Sequence, residues 1–117
     1  MRQIQNPEKP APYVPPLTAD TIERYGEPDP QPGNYYVTAR DGGRNWFLLG
    51  PLAHHEVALR MVARVKELAH EADGYSVFYS YGTARCADTK PGSANKYCPE
   101  AFAEDAALTP SAMRPAP

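Results

Sequence analysis

No stretch of this sequence is apolar enough to cross a bilayer, and Met1-Arg2-Gln3-Ile4-Gln5-Asn6-Pro7 lacks the apolar core of a secretory signal. These absences predict a soluble, cytoplasmic chain with no membrane partner. A dominant charge sign is lacking too. The formal net charge is −2, and Arg40, Arg44, Arg60, Arg64, Lys66 and Arg85 are balanced by Asp41, Glu56, Glu67, Glu71 and Asp73. Such a surface sets up no long-range field for phosphate backbones, which argues against strong nonspecific nucleic-acid binding. Cysteine is scarce: the only 2 are Cys86 and Cys98, on either side of a Lys90-Pro91-Gly92-Ser93 turn. In a reducing compartment they read as free thiols, with an oxidised loop as the alternative. Zinc would need further ligands that no familiar spacing supplies.

Catalytic signatures are missing as well. No Ser-His-Asp or Cys-His arrangement has local support, and Gly42-Gly43 is a turn device rather than a phosphate cradle because no helix follows it. His54-His55-Glu56 and His70 do not suggest a metal centre, since 15 helical positions span ~22 Å. The expectation is a non-enzymatic protein with no catalytic residue, no metal and no cofactor.

What is present is a contrast in composition. Most of the large apolar residues fall between positions 34 and 86, a segment with a single proline, although the whole chain of 117 residues contains 14. Three parts follow: a proline-rich arm over 1–33, a folded core over 34–86, and an irregular tail over 87–117. A core this small gains stability by dimerising, by laying its tails on itself, or by binding a partner.

Within the arm, prolines remove backbone donors and enforce extended neighbours. Pro12-Tyr13-Val14-Pro15-Pro16-Leu17 has polyproline II character with apolar side chains suited to an aromatic groove. Asp20-Thr21-Ile22-Glu23, with Gly26 behind it, suggests one or two capped helical turns.

The core reads as β-β-α-β. Asn34-Tyr35-Tyr36-Val37-Thr38-Ala39-Arg40 is rich in strand formers, Asp41-Gly42-Gly43-Arg44 supplies a tight turn, and Asn45-Trp46-Phe47-Leu48-Leu49 returns until Gly50-Pro51 breaks the strand. Ala58, Met61, Val62, Val65, Leu68, Ala69 and Ala72 recur at three and four, predicting an amphipathic helix from about His54. Glu56 and Arg60 on the other face add an i,i+4 pair worth only ~0.3–0.5 kcal/mol. Asp73-Gly74 ends the helix, with Gly74 placed as its left-handed stop. Alternation over 75–81 predicts the third strand, with Tyr75, Val77, Tyr79 and Tyr81 on one face and Ser76, Phe78 and Ser80 on the other. Further on, Pro99 and Phe102 mark a short helix over 99–108, and residues 109–117 read as a disordered end.

The expected fold is therefore α+β: a three-stranded antiparallel sheet in order 2-1-3, one helix across one face, and proline-rich flanking arms. A parallel pairing of strands 2 and 3 is the alternative. One helix covers one sheet face, yet aromatics fall on both. The second face should be hidden by an arm, by the C-terminal segment, by a second copy in a homodimer, or by another partner. Tyr35, Tyr36, Trp46, Phe78, Tyr79 and Tyr81, with Arg44, are the candidate partner-binding residues, because aromatic rings give large contact area at low entropy cost. The same rings could stack nucleic-acid bases, but few cations flank them.

Tyr35-Tyr36-Val37, Asp41-Gly42-Gly43-Arg44, Leu48-Leu49-Gly50-Pro51, Ala58-Leu59, and Phe78-Tyr79 with Gly82-Thr83-Ala84-Arg85 together resemble small proteins of proteobacterial phages and integrative mobile elements. The resemblance covers about half the chain, and no chemistry is carried over from it. At His54-His55 this chain departs from the hydroxyl helix cap expected there. A second similarity, to peptidoglycan-binding sporulation-related modules, rests on Leu49-Gly50-Pro51 ahead of an Ala58-bearing helix, and the missing export signal speaks against it. By analogy, small phage proteins without catalytic residues occupy a surface on a host protein. The functional expectation is a protein-binding module, a modulator or inhibitor of a host or defence complex. A nucleic-acid-binding accessory protein is the alternative.

Overall fold

The computed structural model describes residues 13–108. The expectations for residues 1–12 and 109–117 fall outside that range. The elements are α1 (Ala19–Tyr25), β1 (Asn34–Asp41), β2 (Arg44–Leu52), α2 (His55–Ala72), a 3-10 turn (Gly74–Phe78), β3 (Ser80–Cys86), a second 3-10 turn (Asn95–Tyr97) and α3 (Pro99–Leu108). The sheet is antiparallel in order β2-β1-β3, as expected.

The hairpin forms where turn chemistry and strand formers coincide. Asp41 faces Arg44 across the turn, and Gly42 takes a φ of 62°, a left-handed conformation that a side chain disfavours. β2 does not break at Gly50-Pro51 but runs on to Leu52, contrary to expectation. Register shifts between Tyr35 and Val37 and between Val37 and Thr38 absorb the extra residues. Gly50 finds its partner in a side chain: its N–H donates to Asn95 Oδ1 (2.9 Å), and Asn95 Nδ2 donates to its carbonyl (2.6 Å).

α2 packs over the sheet face that carries Tyr35, Val37 and Ala39. Val57, Ala58, Met61, Val62 and Val65 join these in the core, whereas Leu68 is only partly buried and Ala72 is exposed. Burying a side chain of this size stabilises by roughly 1.5–3 kcal/mol, so the first half of α2 anchors the fold. Its N-cap, His54, makes no side-chain cap bond. Asp105 of α3 substitutes, accepting from the N–H groups of Ala53 (2.8 Å) and His54 (2.9 Å). Gly74 is not left-handed as predicted. Asp73 is extended (φ −150°) and Gly74 opens the 3-10 turn instead.

The third strand is the main correction. Residues 75–81 are the best strand formers after the helix, yet 74–78 form the 3-10 turn and β3 begins at Ser80. The chain must pass from the helix layer to the sheet layer, and this turn makes the crossing. Val77 and Phe78 therefore never enter the sheet.

The flanking segments pack onto the core. Val14 is buried, and Arg60 donates from Nε to the Pro15 carbonyl (2.7 Å) and from Nη1 to Glu56 (3.3 Å) and Glu104 (3.1 Å). One guanidinium thus ties the proline-rich segment and α3 to α2. On the other sheet face Tyr36 is 0% exposed, stacked on Phe47 at 4.6 Å, with the single hydrogen of its hydroxyl shared between the carbonyls of Lys90 (2.8 Å) and Asp88 (3.1 Å). The C-terminal segment, one of the covers considered, lies over this ring. Residues 92–94 then follow the outer edge of β2, where Gly92 N–H donates to Gly50 (2.9 Å), Ser93 to Phe47 (3.2 Å) and Ala94 to Leu48 (2.7 Å). Cys98 and Ala101 complete the core.

Candidate functional site

α2 outlasts the layer that covers it. Its last apolar positions, Leu68, Ala69 and Ala72, extend past the tightly packed core toward the hairpin end of the sheet. There they wall a groove of about 250 Å³ together with Leu48, Val65, Ser76, Tyr79, Ala94 and Tyr97. A second depression of about 210 Å³ shares Leu48, Ala69, Asp73 and Tyr79 and adds Ala39, Trp46 and Tyr81. The two are continuous around Tyr79, which stacks on Trp46 with ring centroids 4.9 Å apart.

The rim carries what the core rejects. Phe78 is 77% exposed, Tyr97 59% and Val77 54%. Val77 and Phe78 lie in the chain between two groove-lining residues, Ser76 and Tyr79, and Tyr97 lines the same groove. Isolated exposed apolar residues are ordinary, but Tyr97 lines an apolar groove, and Val77 and Phe78 adjoin two of its lining residues in the chain. Cations border it: the Arg44 guanidinium lies 5.0 Å from the Trp46 ring, Lys66 Nζ 5.9 Å from Tyr81, and Lys96 Nζ 5.2 Å from Tyr97. At the floor, Ser76 is 1% exposed and its Oγ has no hydrogen-bond partner among the described residues.

The seven candidate partner-binding residues divide. Trp46, Phe78, Tyr79, Tyr81 and Arg44 gather at this end of the molecule. Tyr35 and Tyr36 are buried instead. Tyr35 packs in the core, stacks on His55 at 4.9 Å and donates its hydroxyl to the Gln31 carbonyl (2.6 Å), while Tyr36 lies under the C-terminal segment. Neither is placed to touch a partner. Tyr81 contributes only partly, because its hydroxyl is spent on the Ser76 carbonyl (3.1 Å). Sequence reasoning missed Tyr97 and Val77. Tyr97 had no signal in its polar surroundings, and Val77 was expected inside a strand.

A larger groove of about 580 Å³ separates α2 from α1 and the segment before it. Its charged walls largely satisfy one another: Arg24 pairs with Asp20 at 2.9 Å, and Arg60 is committed as described. The histidines are likewise committed to structure. His54 Nδ1 lies 2.9 Å from Asp105, and His55 accepts at Nδ1 from the Asp29 N–H (2.8 Å) while Nε2 meets Thr83 Oγ1 (2.8 Å). Among the described residues no three His, Cys, Asp or Glu side chains are grouped to hold a metal ion. Both cysteines are free thiols. Burial pushes the Cys98 thiol up to about 11, with Glu100 adding to the shift and Arg64 opposing it, so this sulfur is a poor nucleophile at neutral pH. No helix among the described residues is long and apolar enough to cross a membrane.

Comparison of the chain with protein-family models, with curated proteins and with solved structures returns no match.

Proposed function

We propose that this protein is a non-enzymatic binding module whose groove at the end of α2 receives an apolar anchor from a partner protein. The observation that carries this reading is the apolar groove itself, built from the last apolar positions of α2 and walled by the exposed Tyr97, with the exposed Val77 and Phe78 next in the chain to its lining residues Ser76 and Tyr79. Tyrosine rings such as Tyr79 and Tyr97 lining a small apolar depression are the usual makings of an interface centre. Arg44, Lys66 and Lys96 around it favour a segment with acidic residues beside its anchor. The resemblance to phage and mobile-element proteins would make that partner a host protein or a component of a defence complex, and the module its modulator. The nucleic-acid reading has less support: Trp46 and Tyr79 spend ring faces on each other and Arg44 lies over Trp46, so little free stacking surface remains.

Capture from host lysate on immobilised protein tests this, comparing wild type with Phe78→Glu and Tyr97→Glu. Both side chains are exposed, so the melting temperature should hold. A carboxylate in place of an interface ring should weaken retention of a specific protein at least about tenfold, equivalent to ~1.4 kcal/mol. Equal retention by all three proteins, or retention abolished by nuclease, would defeat the proposal.

A further inference from the structure

The two outer strands of the sheet are treated differently. The outer edge of β2 is covered by residues 92–94, which take up its carbonyls, and its course is interrupted by register shifts. β3 has neither protection. It pairs with β1 in unbroken register from Asn34 opposite Cys86 to Arg40 opposite Ser80, and no backbone hydrogen bond among the described residues reaches its outer side. None of its residues is buried, although five consecutive residues of neighbouring β1 are. It contains no proline, lysine or bulge, the devices by which edge strands discourage pairing, and its one charge, Arg85, is held by Gln31 Oε1 (3.0 Å) and the Pro32 carbonyl (3.3 Å).

From this edge we infer that β3 pairs with β3 of a second copy, antiparallel about a two-fold axis at Thr83, to give a continuous six-stranded sheet. The strand is self-complementary in that register. Ser80 falls opposite Cys86, Tyr81 opposite Arg85, Gly82 opposite Ala84, and Thr83 opposite itself. The only charged residue thus falls opposite an aromatic one and never opposite its own copy, and the two threonines, each bonded through its hydroxyl to His55 of its own copy, face each other. A two-fold axis closes the assembly at two chains, and each copy's other edge is already occupied, so no fibre follows. A single strand edge buries less than the ~1,200–2,000 Å² of a stable interface, so the dimer is weak and depends on concentration. This inference does not rest on the groove, whose neighbouring depression shares only Tyr81 with β3.

Two measurements test it together. Sedimentation equilibrium of the full chain, from micromolar to millimolar protein, should show the mass rising from 12.9 kDa toward twofold. Ser80→Cys then places a thiol across from Cys86 of the other copy, since paired Cα atoms in antiparallel strands lie ~4.5–5.5 Å apart, within disulfide reach. The two thiols lie six positions apart on one extended strand within a copy, so no internal bond can form. In a glutathione redox buffer Ser80→Cys should give a covalent dimer on a non-reducing gel, and adding Cys86→Ser should abolish it. A constant monomer mass, or a wild-type dimer whose Ser80→Cys form does not cross-link, would overturn the inference.

Discussion

His55 makes three contacts from the first position of α2: it stacks on Tyr35, accepts at Nδ1 from the Asp29 N–H, and meets Thr83 through Nε2. A backbone N–H can only donate, so Nδ1 carries no proton in the fold and Nε2 carries the ring hydrogen. Protonation would set a second hydrogen against the Asp29 N–H. Burial lowers the affinity of this ring for a proton, and the nearby Asp29 carboxylate opposes that effect only in part. The folded pKa therefore lies below the unfolded value of ~6.5. The unfolded chain takes up the proton first, so the stability contributed is full above ~6.5 and is lost as pH falls through the folded value. The melting temperature of wild type should fall between neutral pH and pH ~5 more steeply than that of His55→Asn, whose amide oxygen can still accept from Asp29. Parallel curves for the two proteins would refute the assignment.

At the scale of elements, the joint between residues 92–94 and β2 depends on a close backbone approach. A Cβ on Gly92 would lie 2.6 Å from the Leu48 carbonyl and 2.7 Å from Leu49 N, atoms that cannot swing aside. Gly92→Ala should therefore cost roughly 1–3 kcal/mol and speed hydrogen exchange at the Gly92 and Ala94 amides. Gly43→Ala, which meets nothing within 4 Å, should be nearly neutral. Similar melting temperatures for the two variants would mean that the C-terminal segment is not joined to β2 in this way. The hairpin, α2 and α3 were legible in sequence because local chemistry agrees with the fold: turn glycines between strand formers, apolar residues at helical spacing, proline in a first turn. β3 was not. Its strand formers lie in the crossing between layers, and the strand that does form, Ser-Tyr-Gly-Thr-Ala-Arg-Cys, has weaker local preference and is fixed by pairing with β1. The helix cap was equally hidden, since Asp105 is 51 positions from His54. At the site, Trp46, Phe78 and Tyr79 could be named from composition alone, but the burial of Tyr35 and Tyr36 depends on covers supplied by α2 and the C-terminal segment.

For the whole molecule, segments outside the ββαβ unit complete it. Val14 precedes that unit and Cys98 and Ala101 follow it, yet all three are buried in one core. The C-terminal segment hides the second sheet face around Tyr36, while the end of α2 is a place where apolar surface stays open. The decisive question is whether that opening meets a partner. A photoactivatable benzoyl-phenylalanine placed at Phe78 in the full chain, irradiated in host cells, addresses it directly, with the same probe at Tyr13, 59% exposed and outside the groove lining, as control. The expected result is one dominant light-dependent adduct to a single host protein at Phe78 and none to that protein at Tyr13. No heterologous adduct at Phe78, or the same adducts at both positions, would contradict the assignment of this surface as a binding site.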